Sequence, residues 1–365
     1  IQIIPGQAGN ALNAGSVQDG EAGFELHRAG AQLAHALGEG GHGLVYLRGP
    51  GGGAGRALGV GGQAVMEGIM MRNGSEYSVA VRKENGEIEV KKETYKGVGS
   101  KCRLFRLPFI RGIFSFVDSL VLGMKSLNYS ASLFMEDGEE EEEPGRFEKW
   151  LQEKFGDKAE KVIMDLTMVI SIILAMGIFM VFPTWVSTLM KPLLGNGIWM
   201  ALFEGVLRIA IFIAYVGLIS LMPDIKRTYM YHGAEHKCIN CIEHGLPLTV
   251  ENVMKSSKEH KRCGTSFLLI VMVISILFFL VIRPETLWLR LVSRILLIPV
   301  IAGVSFEFLR LAGNSDNPVV NLLSKPGLML QGLTTKEPDE KMAEVAICAV
   351  EAVFDWKAYE EANFN

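Results

Sequence analysis

Residues 266–282 read Ser-Phe-Leu-Leu-Ile-Val-Met-Val-Ile-Ser-Ile-Leu-Phe-Phe-Leu-Val-Ile, without a single charge. A helix rises about 1.5 Å per residue, so a bilayer core takes roughly 20 apolar residues to cross. Ser266–Ile282 therefore reads as a membrane-spanning helix. Three further segments reach spanning length: Val162–Phe182, Ile198–Met222 and Leu287–Phe308. Pro183, Pro223 and Pro284 stand at or beyond segment ends, where helices stop readily. Trp185, Trp199 and Trp288 lie near ends, as interfacial anchors do. The fold class that follows is an α-helical integral membrane protein with about four transmembrane helices, paired as 162–222 and 266–310.

Composition agrees. The 365-residue chain is 49% hydrophobic, its apolar residues come in blocks, and its mean hydropathy is +0.26. A formal net charge of −4 speaks against a duplex nucleic-acid partner, which calls for a strong basic excess. The lipid bilayer is the expected partner. Five cysteines, an odd number, do not suggest a disulfide framework.

Outside the spans the chain divides by character. Residues 1–60 are Gly/Ala-rich without helical or strand period, and read as a disordered or spurious extension. Their histidines His27, His35 and His42 are scattered among glycines and carry no ligand spacing. Residues 61–100 form a small β unit, because Tyr77–Val81 and Glu87–Lys91 flank Asn85-Gly86, a two-residue hairpin signal. Such a unit must lean on other parts of the chain. In 101–135, the apolar run Leu104–Met124 is interrupted by Arg106, Arg111 and Asp118, which suits an interfacial or re-entrant helix. Residues 136–161 hold the acidic run Glu136–Glu143, a solvated linker, and a juxtamembrane helix. In 311–365 a loop leads to an amphipathic C-terminal helix over Asp339–Trp356, with Thr334 and Glu337 at capping-box spacing.

Lys226, Arg227, Lys237, Lys255, Lys258, Lys261 and Arg262 crowd the loop 223–265, whereas the opposite loops hold Lys191 and Arg283. By the positive-inside rule this loop and both termini face the cytoplasm, which makes the protein a multi-pass component of the plasma (inner) membrane. Cytoplasmic thiols stay reduced and available to metal.

That same loop carries the chemistry. Four of the chain's seven histidines and three of its five cysteines lie between Tyr231 and Phe267. His232-Gly233-Ala234-Glu235-His236 is an H-x-x-E-H arrangement. On a helix both imidazoles share a face and reach one ion, and Glu235 could polarise a water there, as in zinc hydrolases. Gly233 inside that helix costs about 1 kcal/mol of propensity. His260, Cys263, Glu243 and Glu251 are candidates for a further ligand. A second reading joins Cys238-x-x-Cys241 to His260-x-x-Cys263 in a closed, structural Cys₃His site. With no metal, the histidines would simply pack against neighbours or lipid headgroups. Within the spans, Glu204 and Arg208 lie one turn apart, and Asp165 lies near the start of the first. Ionisable groups at that depth form either a helix-to-helix ion pair or the lining of a pathway. Arg290 and Arg294 can snorkel to the surface.

Several strings together are similar to the YqhQ-like family of bacterial membrane proteins. They are Gly61-Gly62-Gln63-Ala64-Val65-Met66-Glu67-Gly68-Ile69-Met70-Met71-Arg72, Leu122-Gly123-Met124-Lys125-Ser126-Leu127-Asn128-Tyr129-Ser130, His232–Lys237, Arg262–Phe267 and Pro326–Gln331 running into Leu333-Thr334-Thr335. The family is of unknown function and is described as predicted metal-dependent enzymes. The resemblance implies a site built on the two histidines, the glutamate and the later His-x-Arg-Cys-Gly, with no demand for cysteines at 238 and 241. Lys261 stands where the family has proline. The combined expectation is a metal-dependent membrane hydrolase that uses a divalent ion, zinc by ligand type, with Glu235 as general base. Its substrate would be a membrane peptide or lipid-linked compound. The alternative is a non-enzymatic transporter or assembly factor with a structural metal.

Overall fold

The computed structural model describes residues 59–97, 105, 107–135, 154, 156, 159–195, 197–282, 284, 286–313 and 317–364. The Gly/Ala-rich opening before Gly59, the acidic run Glu136–Glu143, Asn314–Asp316 and the side chain of Asp165 lie outside the described residues.

Four strands, β1 (Val60–Val65), β2 (Gly68–Asn73), β3 (Glu76–Arg82) and β4 (Ile88–Thr94), form an antiparallel meander in the order β1-β2-β3-β4. The string Gly61–Arg72 thus forms the first hairpin. Val65 pairs with Gly68, so Met66 and Glu67 make the tip, with Glu67 at a φ of 49°. The second hairpin is wider than its Asn85-Gly86 signal suggested. Lys83 and Glu87 still pair, Gly86 N donates to the Lys83 carbonyl, and Gly86 takes the left-handed φ of 88° that closes the loop.

The sheet is apolar on both faces. Ala64, Ile69, Met71 and Ala80 point into one core, and Val65, Met70, Val79 and Val81 into another. Helix α1 (Ile110–Met135) covers the second face with Leu122, Leu127 and Leu133. Its charges, expected to hold it at the interface, are met inside the fold. Arg111 forms a two-pronged pair with Glu307, and Asp118 accepts from the Tyr95 hydroxyl at 3.1 Å.

Helices long and apolar enough to cross a membrane occupy Leu166–Leu189, Ile198–Ile219, Gly264–Val281 and Trp288–Gly313. The first consists of α2 (Ala159–Met176), a π-helical turn (Gly177–Val181) and α3 (Phe182–Leu189). It runs through Pro183 rather than stopping there. A proline ring collides with the carbonyl four residues back, and the wider turn before it relieves that collision. A short α4 (Lys191–Leu194) precedes α5 (Ile198–Ile219), which leads into α6 (Pro223–Glu243) and α7 (Val250–Lys255). The remaining spans are α8 (Gly264–Val281) and α9 (Leu287–Gly313).

The segment expected to be a loop after the last span contains α10 (Pro318–Thr334). Asn317 caps it by accepting from Val319 N at 2.9 Å. Pro326, Gly327 and Gly332 disguise it in the sequence, and packing on α8, where Gly327 meets Ser266, overrides their low propensity. The C-terminal elements are α11 (Glu340–Glu351) and α12 (Trp356–Phe364). The cap of α11 is Asp339, which accepts from Met342 N at 2.8 Å. The expected cap from Thr334 and Glu337 does not form: Thr334 ends α10, and Glu337 pairs with Lys237 and Lys258.

Helix α6, at the centre, packs on β1, α7 and α11. Its apolar residues Ala234, Cys238, Ile239 and Ile242 share a core with Val345, Ala346, Ala349 and Val350 of α11 and with the sheet. Gly233 sits inside α6 because the chain leaving α10 crosses it there. A Cβ at that position would fall 2.0 Å from the Lys336 carbonyl oxygen. Gly233→Ala is expected to destabilise despite alanine's better helix propensity. The overpacking cost of about 1–3 kcal/mol outweighs a gain of about 1 kcal/mol. Thermal melting of the detergent-solubilised protein should show a lower midpoint, and an unchanged or raised one would contradict the crossing.

Candidate metal centre

Three elements converge where the spans meet the sheet-bearing half. Helix α6 contributes His232 and His236 on one face, and Cys263 stands at the N-cap of α8. The end of α10 arrives from the side. The ligand-type atoms of His232, His236 and Cys263 lie within 4.8 Å of one another, and all three residues are buried. This is the one such cluster among the described residues.

Both imidazoles are oriented by backbone carbonyls. His232 Nδ1 is 2.9 Å from the Thr334 carbonyl and His236 Nδ1 is 2.7 Å from that of Lys258. A carbonyl only accepts, so each Nδ1 carries a proton and each Nε2 is the ring atom left to face an ion. That is the orientation a metal-ligating histidine requires. The Cys263 sulfur lies 3.3 Å from His232 Nε2 and 2.9 Å from Thr265 Oγ1. It stands at a helix N-terminus, and the thiolate is the form that would ligate an ion. Two imidazole nitrogens and a thiolate fit a borderline-soft divalent ion such as zinc and leave a fourth tetrahedral position.

The carbonyl facing His236 is itself held in place. Lys237 Nζ donates to the Met254 and Ser256 carbonyls at 2.8 and 2.9 Å, and Asn240 Nδ2 to those of Ser257 and Glu259 at 2.7 and 2.9 Å. The loop 256–263 is thereby laced to α6. Gln331 of α10 grips its far end: Oε1 accepts from His260 N at 3.0 Å, and Nε2 donates to the His260 carbonyl at 2.8 Å and to Ser266 Oγ at 3.0 Å.

The other candidates lie elsewhere. His260 stands beside His236, with ring centroids 5.7 Å apart, but its Nε2 faces Glu243 at 3.3 Å. Burial, reinforced by His232, pushes its pKa down to about 4. Glu243 is also paired with Arg262. Glu251 is exposed and paired with Lys255. Cys238 and Cys241 lie in the apolar core beneath the sheet, outside the cluster, and burial raises both thiols, Cys241 to about 11. The ribbon arrangement of Cys238, Cys241, His260 and Cys263 is therefore not assembled. Glu235 is buried one residue before His236, against β1. A Cβ on Gly62 would fall 2.9 Å from its Cγ and Cδ, so the glycine makes room for the carboxylate.

Sequence reasoning did not identify Gln331, Thr334, Lys237, Asn240 or Thr265. Gln331 and Thr334 stand in matched family strings, but nothing local marks a glutamine or a backbone carbonyl as support for a site some seventy or more residues away.

The fold and cluster define a class: a polytopic membrane protein with a layered β-sheet unit and a buried His-His-Cys cluster at their junction. Residues 107–356 match the family described as protein of unknown function (DUF1385). The chain is 36% identical over 308 residues to the uncharacterized protein YqhQ of Bacillus subtilis (strain 168), covering 83% of this chain and 94% of that protein. No solved structure matches the chain. It belongs to the DUF1385 family, which includes YqhQ-like proteins.

Gln331→Leu keeps the volume but leaves His260 N–H, the His260 carbonyl and Ser266 without this partner. At about 1–3 kcal/mol per buried polar group, a loss of at least about 2 kcal/mol is expected. Metal affinity should fall by about 10–100-fold, as when an outer partner of a metal site is removed. Melting curves and competition with a chromogenic chelator would read both effects.

Proposed function

We propose that this protein is a metal-dependent membrane hydrolase, with one divalent ion, zinc by donor type, held by His232, His236 and Cys263. The observation that carries the reading is the convergence of three buried ligands, with both imidazoles turned inward by backbone carbonyls. When bound, zinc would supply Lewis acidity that makes water a usable nucleophile near neutral pH.

The protein's own groups do the rest. Glu235 serves as general base, taking a proton from the attacking water and returning it to the leaving group. Its burial against Gly62 holds the carboxylate to one position beside the ligand helix. The junction between spans and sheet suits a substrate anchored in the bilayer, a membrane peptide or a lipid-linked compound. The basic residues of loop 223–265 support a cytoplasmic location for the site and the termini, in a plasma membrane.

Elemental mass spectrometry of detergent-purified protein tests the metal. About one ion per chain is expected, lost in His236→Ala and Cys263→Ala and retained in the Cys238→Ser/Cys241→Ser double variant. Glu235→Gln should keep the metal while hydrolysis of a panel of membrane peptides and lipid-linked esters falls by about 10²–10⁴-fold. Gly62→Ala should also keep the metal and lower hydrolysis by displacing the carboxylate. A Glu235→Gln protein with full hydrolysis would overturn the assignment of the base. Metal that leaves only with Cys238 and Cys241 would point to a structural ion and a non-enzymatic protein.

A further inference from the structure

The spans contain a second polar site, at the end of the helices remote from the histidine cluster. It lies between the start of α5, the end of α8 and the start of α9, and encloses a cavity of about 130 Å³. Glu204 is its hub. The carboxylate accepts from Thr184 at 3.0 Å and Ser187 at 3.3 Å, both on α3, and from Arg208 at 3.0 Å. Arg294 of α9 pairs with it at 2.5 Å and also donates to Thr184. Arg294, expected to snorkel outward, is instead buried beside Arg208, and both guanidiniums lie over the Phe279 ring at 5.0 and 5.3 Å.

The charges do not balance. Among the described residues, Arg208, Arg290 and Arg294 line the cavity against a single carboxylate, Glu204. Glu204 is already engaged by two hydroxyls and two guanidiniums. The buried Nε–H groups of Arg208 and Arg294 have no protein acceptor within hydrogen-bond reach. Two guanidiniums buried against one carboxylate, with the partly buried Arg290 beside them, are costly at this depth unless an anion joins them. The cavity has room for several waters, and so for a compact anionic group. Guanidiniums match the oxygens of phosphate by paired N–H donors. The remaining walls are apolar, from Met200, Ala201, Ile276 and Ile282. Exposed Trp199, Val281 and Trp288 are close in sequence to lining residues, offering apolar surface beside the cavity.

We infer that this cavity binds a phosphate group, carried by an anionic lipid or free in solution, on Arg208, Arg290 and Arg294. The site is independent of the metal centre and of any hydrolysis there.

Native mass spectrometry of the full chain in neutral detergent provides the test. Dioleoylphosphatidylglycerol is compared with dioleoylglycerol, which has the same tails without the phosphate, and inorganic phosphate is added as competitor. The wild type should retain the phospholipid at least tenfold more strongly than dioleoylglycerol. Arg290→Gln removes a charge outside the Glu204 network, and Ala201→Leu fills the cavity with every charge in place. Each should abolish the preference while leaving the unliganded melting temperature unchanged. Displacement by millimolar phosphate, with phosphate itself raising the melting temperature, would assign the site to the free anion, and persistence of the lipid to a headgroup. No preference for either phosphate probe in the wild type overturns the inference. So does a preference that survives in both variants, and either variant suffices to decide if the other fails to fold.

Discussion

The short extended segment after α10 is the seam on which the two halves of the molecule depend. It lies along α6 and is fastened to it at successive turns. Lys336 N donates to the Tyr229 carbonyl at 2.9 Å, and the Lys336 carbonyl fills the space that Gly233 leaves open. Glu337 pairs with Lys237 at 2.7 Å, and the Thr334 carbonyl receives the His232 ring. One end of this segment belongs to a helix packed on the spans, the other to a helix packed on the sheet. The orientation of the His232 ring is thus a by-product of joining membrane and sheet, and the cluster has its geometry only when both halves are assembled.

The sheet owes its stability to being covered twice. A small antiparallel sheet with one bare apolar face would be an aggregation hazard, and its edge strand β4 carries the lysines and glutamates that discourage further pairing. Here α1 takes one face, and α6 with α11 the other. The hairpin tip is also bound to α6: Glu67, held at positive φ, receives a two-pronged contact from Arg227 and a hydrogen bond from Tyr231 at 3.2 Å. The sheet therefore presses on α6 from the side facing Glu235, while the segment after α10 presses near Gly233. Between them they fix the rotation of α6 about its axis, and with it the direction in which His232 and His236 point.

Within the spans the carboxylate of Glu204 is tolerated because other helices answer it. Glu204 ties α3, α5 and α9 together through hydroxyls and guanidiniums, and the π turn lets the first span continue across Pro183 toward those hydroxyls.

Much of this could be read from the chain itself. Length and hydropathy determine a span wherever some twenty apolar residues run together, because backbone polar groups in lipid must be satisfied within the helix. The i, i+4 spacing of His232 and His236 likewise determines a shared face. Asn85-Gly86 marks a turn because only a left-handed residue closes it. Other features belong to the tertiary structure alone. Whether Cys263 meets His232 and His236, or meets His260 with Cys238 and Cys241, is decided by how α8 meets α6, since both sets have acceptable spacing. The helix over Pro318–Thr334 exists against its prolines and glycines because α8 gives it a surface. The ring orientations depend on two backbone carbonyls, groups every residue carries and no sequence distinguishes. Local pattern determines what a segment can be; which lone pair faces which neighbour is decided by packing between segments far apart in the chain.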